Sequence, residues 1–244
     1  RDYLAQWLAQ GHHGSMLWMG RHEALRSDPT GLLPGTLRVI SVRMNYRPRD
    51  DDPEAVLADP RKAYIARYAL GRDYHKVLRP RLARLAERME REAGGQHRAL
   101  TDSAPLLEKA YGEKAGLGWI GKNTLLLNRE AGSWFLLGEI LSTLPLPIDD
   151  PSTGDPCGTC SRCLSACPTN AFRGPRQIDA RRCLAYQTIE NKGPIPEALR
   201  RPLGNRIFGC DDCQLVCPFT KFSRPTEERD FAPRNDFDGG ALLD

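Results

Sequence analysis

Cys157-Gly-Thr-Cys160-Ser-Arg-Cys163-Leu-Ser-Ala-Cys167-Pro168 is the stretch on which the reading of this chain turns. Three cysteines at three-residue steps, then a fourth followed by proline, form the C-x2-C-x2-C-x3-C-P run that ligates iron–sulfur clusters. A second run follows, Cys210-Asp-Asp-Cys213-Gln-Leu-Val-Cys217-Pro218, and Cys183 stands between the two. Together these are all eight cysteines of the chain, the number that two four-cysteine clusters require.

Working outward, the spacing assigns the ligands. A tight loop reaches three corners of a cubane, and the fourth ligand arrives from elsewhere. In two-cluster ferredoxins the cysteine before the proline serves the other cluster. Cys157, Cys160, Cys163 and Cys217 are therefore expected on one cluster, and Cys167, Cys183, Cys210 and Cys213 on the other. The second half lacks one cysteine of a full C-x2-C-x2-C, and Cys183 replaces it from a distance. Zinc sites usually pair two separated C-x2-C knuckles. Disulfides suit small secreted chains. Neither fits this run.

The chain has 244 residues and 40% hydrophobic content, enough for a core and two domains. No apolar run is long enough to span a bilayer. Reduced cysteines without a visible signal peptide point to the cytosol. The chain starts at Arg1 rather than Met, so preceding residues are expected to be missing, and Asp236–Asp244 reads as a cut or frayed end. Net charge is only +4, but residues 61–98 carry eleven Lys/Arg against four Asp/Glu, and residues 173–206 carry eight against three. Such patches suit a polyanion such as RNA, or simply a solvated helix face.

Residues 37–46 read as a strand with Ile40, Val42, Met44 and Tyr46 on one face. It ends at Arg47-Pro48 and the acidic run Asp50–Asp52. From about His75 to Ala93 the period becomes helical, with Leu78, Leu82, Leu85 and Met89 as the apolar stripe. Arg81, Arg84, Arg88 and Arg91 fall on a different face. Pro80 must sit near the helix start or kink it, and Gly94-Gly95 stops it. A helix from Leu106 to Ala115 follows, then strands at Thr124–Asn128 and Ser133–Thr143. The Pro-rich connection from Leu144 to Pro156 marks a domain boundary. Short helices are expected after Cys163 and Cys210.

Two motifs mislead. Gly116, Gly118 and Gly121 fit G-x-G-x-x-G, and Gly116 to Lys122 fits most of a P-loop. Yet a helix precedes them, a strand follows, and Asn123 stands where a P-loop needs Ser or Thr. These glycines instead allow close approach of a packed element or a large flat cofactor. Asp73-Tyr74-His75 begins like D-x-H-x-x-G, but Leu78 occupies the glycine position. His12-His13 read as surface residues.

Several blocks together resemble one family, the epoxyqueuosine reductases. They are His13-Gly-Ser-Met-Leu-Trp-Met-Gly-Arg21, Leu33-Pro-Gly-Thr, Arg67-Tyr-Ala-Leu-Gly-Arg-Asp-Tyr-His75, Asp102-Ser-Ala-Pro-Leu-Leu-Glu108, Ala115-Gly-Leu-Gly-Trp-Ile-Gly-Lys122, Gly209-Cys-Asp-Asp-Cys213 and Phe231-Ala-Pro. The resemblance implies an α+β fold, with a nitroreductase-like cobalamin-binding domain over residues 1–150. A ferredoxin-like domain with two 4Fe–4S clusters then spans 151–230, with a tail at 231–244. Some members carry a C-terminal helical repeat domain, which is not expected within these 244 residues. The implied reaction removes the epoxide oxygen of epoxyqueuosine in the tRNA anticodon, in the cytoplasm, by a monomer supplied by a flavodoxin- or ferredoxin-like electron donor.

Electrons are expected to enter at the cluster of Cys157, pass to that of Cys183, and reach cobalt. The resemblance also implies that Asp102 is the proton donor. Its pKa would be raised by burial among Ala104, Leu106 and Leu107; read without the resemblance, Asp102 equally suits a helix N-cap before Pro105. Arg21 matches a cobalamin-contacting position, and Lys122, Ala185 and Asp211 are further candidates; Asp211 equally suits a cap before Cys213. Arg81, Arg84, Arg88, Arg91, Arg181, Arg182 and Lys192 become candidate tRNA contacts. The rival readings are a reductive dehalogenase-like enzyme acting on a small molecule and a plain ferredoxin-type electron carrier.

Overall fold

The computed structural model describes residues 2–49, 52–235 and 241–242. The first two residues of the acidic run Asp50–Asp52, and most of the tail read as frayed, lie outside them. The architecture is α+β. Its centre is a three-stranded antiparallel sheet in which Phe135–Ser142 lies between Arg38–Asn45 and His97–Leu100. The register runs from Arg38↔Ser142 to Asn45↔Phe135 on one side and from His97↔Ser142 to Leu100↔Glu139 on the other.

Strand alternation gives the sheet two working faces. On one, Ile40, Val42, Met44, Leu136 and Ile140 meet Val77, Leu78, Leu82 and Ala86 of the 20-residue helix Tyr74–Ala93. Each such side chain contributes on the order of 1.5–3 kcal/mol when fully buried. Asp73 caps this helix by accepting the His75 amide, and Gly94 ends it at φ +73°. The apolar stripe differs from expectation in one place: Leu85 is 41% exposed, while Val77 and Ala86 are buried. Pro80 lies inside the helix.

The opposite face carries two apolar clusters, one around Leu32, Leu100, Leu106 and Leu141, the other around Leu126, Ala131 and Phe135. The helix Glu108–Lys114 packs over it. Glu139 sits in this face with no exposed surface.

A second sheet ties the two halves of the chain together. Lys62–Ile65 pairs in parallel with Arg206–Phe208 and antiparallel with Ala241–Leu242. Gly209 follows at φ +70°, where an added Cβ would collide with Ala66. Between the halves, residues 144–156 form no helix or strand. The cysteine-rich half is built from short pieces: Arg162–Ser165, Leu184–Ile189, Glu197–Leu203 and Asp212–Leu215 as helices, and Phe172–Gly174 with Gln177–Ile178 as a hairpin. Among the described residues no helix is long and apolar enough to cross a membrane.

Candidate functional site

All eight cysteines are free thiols of intermediate burial. They fall into two groups by their electrostatic neighbours. Cys163 interacts with Cys217, Cys157 and Cys160, and Cys217 with Cys157 and Cys160. Cys213 interacts with Cys183 and Cys167, and also with Cys163 of the other group. Cys210 adjoins Cys213. Among the described residues no three His, Cys, Asp or Glu side chains are positioned to hold a single metal ion. Four soft sulfur donors in each of two adjacent groups fit two cubane clusters.

The surrounding polar groups hold the cysteine loops. The Trp119 indole N–H lies 3.4 Å from Cys157 Sγ, and the Ala171 amide 3.3 Å from Cys167 Sγ. Amides of Ala185 and Tyr186 reach the Cys183 thiol. The Cys210 thiol donates to Asp212, 2.7 Å away, and Arg206 grips the same carboxylate through two nitrogens. Metal ligation uses the thiolate, so that sulfur proton leaves when the loop takes up iron.

The glycine-rich segment serves this half. Trp119-Ile120 pairs with Leu126-Leu127 as a small hairpin, and a Cβ on Gly118 would strike the Leu127 carbonyl oxygen. The glycines thus admit a packed strand, not a phosphate. Lys122 Nζ donates to the carbonyls of Gly158 and Cys160, inside the first cysteine loop. Asp211 is 2% exposed. It accepts from the Tyr64 hydroxyl at 2.9 Å and the Arg67 amide at 2.8 Å, and burial raises its pKa to about 6. Both side chains brace the cysteine loops from within.

Asp102 sits where the strand His97–Leu100 gives way to the loop before Glu108. Its φ is +54°, an uncommon conformation for a side chain other than glycine. Two expectations need correcting here. The helix starts at Glu108 with Leu107 at its N-cap, so Asp102 caps nothing. Nor is Asp102 buried: its side chain is 58% exposed. Its carboxylate oxygen instead lies 3.0 Å from Nε2 of His75, whose Nδ1 lies 2.8 Å from Asp73. Burial alone would lower the His75 pKa, but the bonds to Asp73 and Asp102 outweigh it and raise it. The Tyr74 hydroxyl also bonds to Asp102; burial first, and that carboxylate second, push its pKa far up.

Behind Asp102 lies a pair of carboxyls. The Asp102 amide donates to Glu108 Oε1 at 2.6 Å. Glu108 in turn faces Glu139, whose pKa is pushed up to about 10, chiefly by burial and then by the neighbouring Glu108 charge. Burial also raises Glu108.

Asp102 borders a cavity of about 590 Å³ walled by Trp18, Met19, Leu106 and Leu107, with the cations Arg26, Lys109 and Arg176 and the acids Glu108 and Glu113 among its polar groups. Adjoining spaces of about 420 and 280 Å³ share walls with it, through Trp18, Arg26 and Asp102 on one side and Tyr3, Lys109 and Arg176 on the other. The trough formed by these adjoining spaces compares in volume with the ~300–1,000 Å³ of ordinary small-molecule sites. Lys109, which donates to the Thr124 carbonyl at 2.8 Å, also interacts with Cys213. The trough therefore lies beside the Cys167, Cys183, Cys210 and Cys213 group. Arg21 is exposed at the end of the short helix Trp18–Arg21.

The basic patches are partly spent within the fold. Arg81 pairs with Glu228 at 2.6 Å and Arg88 with Glu92. Arg181 pairs with Asp179, and Arg182 donates to the Thr169 carbonyl. Arg84 and Arg91 are exposed. His12 and His13 are half-buried rather than superficial: His12 approaches Asp179 and His13 packs on Trp7. Sequence reading missed His75, Tyr74 and Glu139 as members of the site. A lone acid inside Phe-Leu-Leu-Gly-Glu139-Ile-Leu-Ser was the signal for the last.

Residues 26–103 match the sequence profile described as "Epoxyqueuosine reductase QueG, DUF1730", and residues 156–220 match a 4Fe-4S double cluster binding domain. The epoxyqueuosine reductase of Pseudomonas aeruginosa is 57% identical over 99% of this chain and 67% of its own length. That of Xanthomonas campestris pv. campestris is 58% identical over 98% of this chain and 68% of its own length. A crystal structure of epoxyqueuosine reductase with an epoxyqueuosine-modified tRNA-Tyr stem loop superposes with a TM-score of 0.77 at 32% identity, covering 84% of this chain and 54% of that one. A reductive dehalogenase shares the fold, at 18% identity and a TM-score of 0.51. The chain spans about two thirds of the length of these curated relatives and about half of that solved chain. It belongs to the epoxyqueuosine reductase family.

Proposed function

We propose that this chain reduces epoxyqueuosine in the tRNA anticodon to queuosine, with two 4Fe–4S clusters and cobalamin as cofactors. Cys157, Cys160, Cys163 and Cys217 hold the outer cluster; Cys167, Cys183, Cys210 and Cys213 hold the inner one. Clusters carry single electrons, and reduced cobalt supplies the two-electron chemistry that opening an epoxide demands. The observation that carries this reading is the position of Asp102, on the rim of a trough that also adjoins the second thiol group through Lys109.

The residues divide the work. Arg21, Asp102, Lys122, Ala185 and Asp211 would flank the corrinoid, and the last three also fix the cysteine loops and their flanks. Asp102 delivers a proton to the alkoxide as the ring opens. His75, bonded to Asp102 on one side and Asp73 on the other, is placed to return that proton. Arg84 and Arg91 are exposed cations suited to phosphate, and Lys192, exposed two residues after Glu190, is another. Residues 1–150 form the cobalamin part, 151–230 the cluster part and 231–244 the tail. The reading further places a monomer in the cytoplasm, served by a flavodoxin- or ferredoxin-like donor.

The test is turnover. The anaerobically reconstituted chain, given cobalamin, a reductant and an epoxyqueuosine-bearing stem loop, should yield a nucleoside lighter by one oxygen atom. Unchanged epoxyqueuosine with both clusters and cobalamin bound would contradict the reading.

A further inference from the structure

Glu139 occupies the middle of the central strand, between the two apolar clusters of that face, with no exposed surface. Neither of its carboxyl oxygens has a hydrogen-bond partner at ordinary distance among the described residues. The side chain it faces is Glu108, from the helix packed over the sheet. Its cross-strand neighbours are Ser41, whose buried hydroxyl likewise finds no partner, and Leu100. Among the described residues the group acting on Glu139 is Glu108, while Asp102 and Lys109 act on Glu108. Two facing carboxylates repel, and in a desolvated site only one of them ionises. Glu108 meanwhile accepts the amide of Asp102, which is held at φ +54°.

We propose that Glu139 and Glu108 share one proton, and that this pair is a positioning device that fixes the Asp102 main chain in its left-handed turn on the rim of the trough. Protonated Glu139 turns its proton toward the facing Glu108 carboxylate and removes the repulsion between the two. The remaining charge of Glu108 then makes the Asp102 amide bond a charge-assisted one. Its catalytic consequence rests on the reading of Asp102 as proton donor, but the shared proton itself does not.

The full chain, with its clusters reconstituted, gives two readouts that need no turnover. Infrared difference spectra with isotope-labelled glutamate should show a protonated glutamic acid at pH 7.5, lost in Glu139→Gln. The folding equilibrium supplies the second. The folded pair keeps a proton that the unfolded chain releases above the ordinary glutamate range. Glu139→Gln should therefore gain about tenfold in folding equilibrium constant over the parent for each pH unit between 6 and 8. Absence of the neutral-acid band in the parent, or parallel stability profiles, overturns the shared proton. For positioning, Glu139→Leu should lower kcat with KM held, and Glu139→Gln should restore much of it. Equal losses in Leu and Gln, with the band present, overturn the positioning role. No turnover in the parent overturns the functional reading instead.

Discussion

Nε2 of His75 lies 3.0 Å from a carboxylate oxygen of Asp102, across 27 residues of sequence. That bond joins the N-terminal turn of the long helix to the loop that carries the proposed proton donor. Asp73, the helix N-cap, holds the other ring nitrogen, so the imidazole is tethered at both nitrogens.

His75 therefore links the loop to pH. Its folded pKa is raised, so the stability it contributes is full below the unfolded value of ~6.5. It is lost as pH rises through the folded value. His75→Gln should flatten the pH dependence of thermal stability across that window. A parallel shift at every pH would mean that the bond carries no linked proton.

Lys122 clamps the carbonyls of Gly158 and Cys160. Lys122→Met leaves two loop carbonyls without that donor and frees the loop that presents Cys157 and Cys160. After anaerobic reconstitution, iron should fall from about eight toward about four per chain, with the second cluster intact. A full complement of iron would show that the clamp is dispensable.

Asp211→Ala removes the acceptor for both the Tyr64 hydroxyl and the Arg67 amide. Each buried donor left unpaired costs about 1–3 kcal/mol, and both lie where the two halves of the chain share a sheet. Chemical denaturation should show this loss. A change below about 0.5 kcal/mol, the usual range for surface substitutions, would refute the bracing role.

Binding of a tRNA stem loop should weaken steeply with salt, because phosphate contacts release counterions. Arg84→Ala and Arg91→Ala should each reduce the slope of log affinity against log salt by about 1 if each meets one phosphate. Arg88→Ala, which breaks the pair with Glu92, should change it less. A slope unaffected by Arg84 and Arg91 removes that helix from the RNA surface.

Local signals carried far in this chain. Cysteine spacing proposes two groups of four thiols, and the fold brings the two cysteine runs side by side. Alternation at Ile40, Val42 and Met44 anticipated the face that meets the long helix, and Gly94 its end. Contacts set by topology were hidden. Nothing near Lys62–Ile65 announces a parallel partner at Arg206–Phe208. Asp102 beside Pro105 resembled a cap, because capping is local while its bonds to His75 and Tyr74 are not. The arginine patches looked open because pairs such as Arg81 with Glu228 span 147 residues. The glycine-rich segment was ambiguous between a cofactor and a packed strand, and only the Leu127 carbonyl over Gly118 decides for the strand.

The most direct test is the iron, acid-labile sulfide and cobalamin content of the anaerobically reconstituted chain, measured in one preparation. The account predicts about eight iron, about eight sulfide and about one corrinoid per chain, with cysteine-to-serine changes at Cys163 and Cys183 each abolishing a different cluster. A plateau near four iron, or loss of the same cluster in both variants, would contradict it.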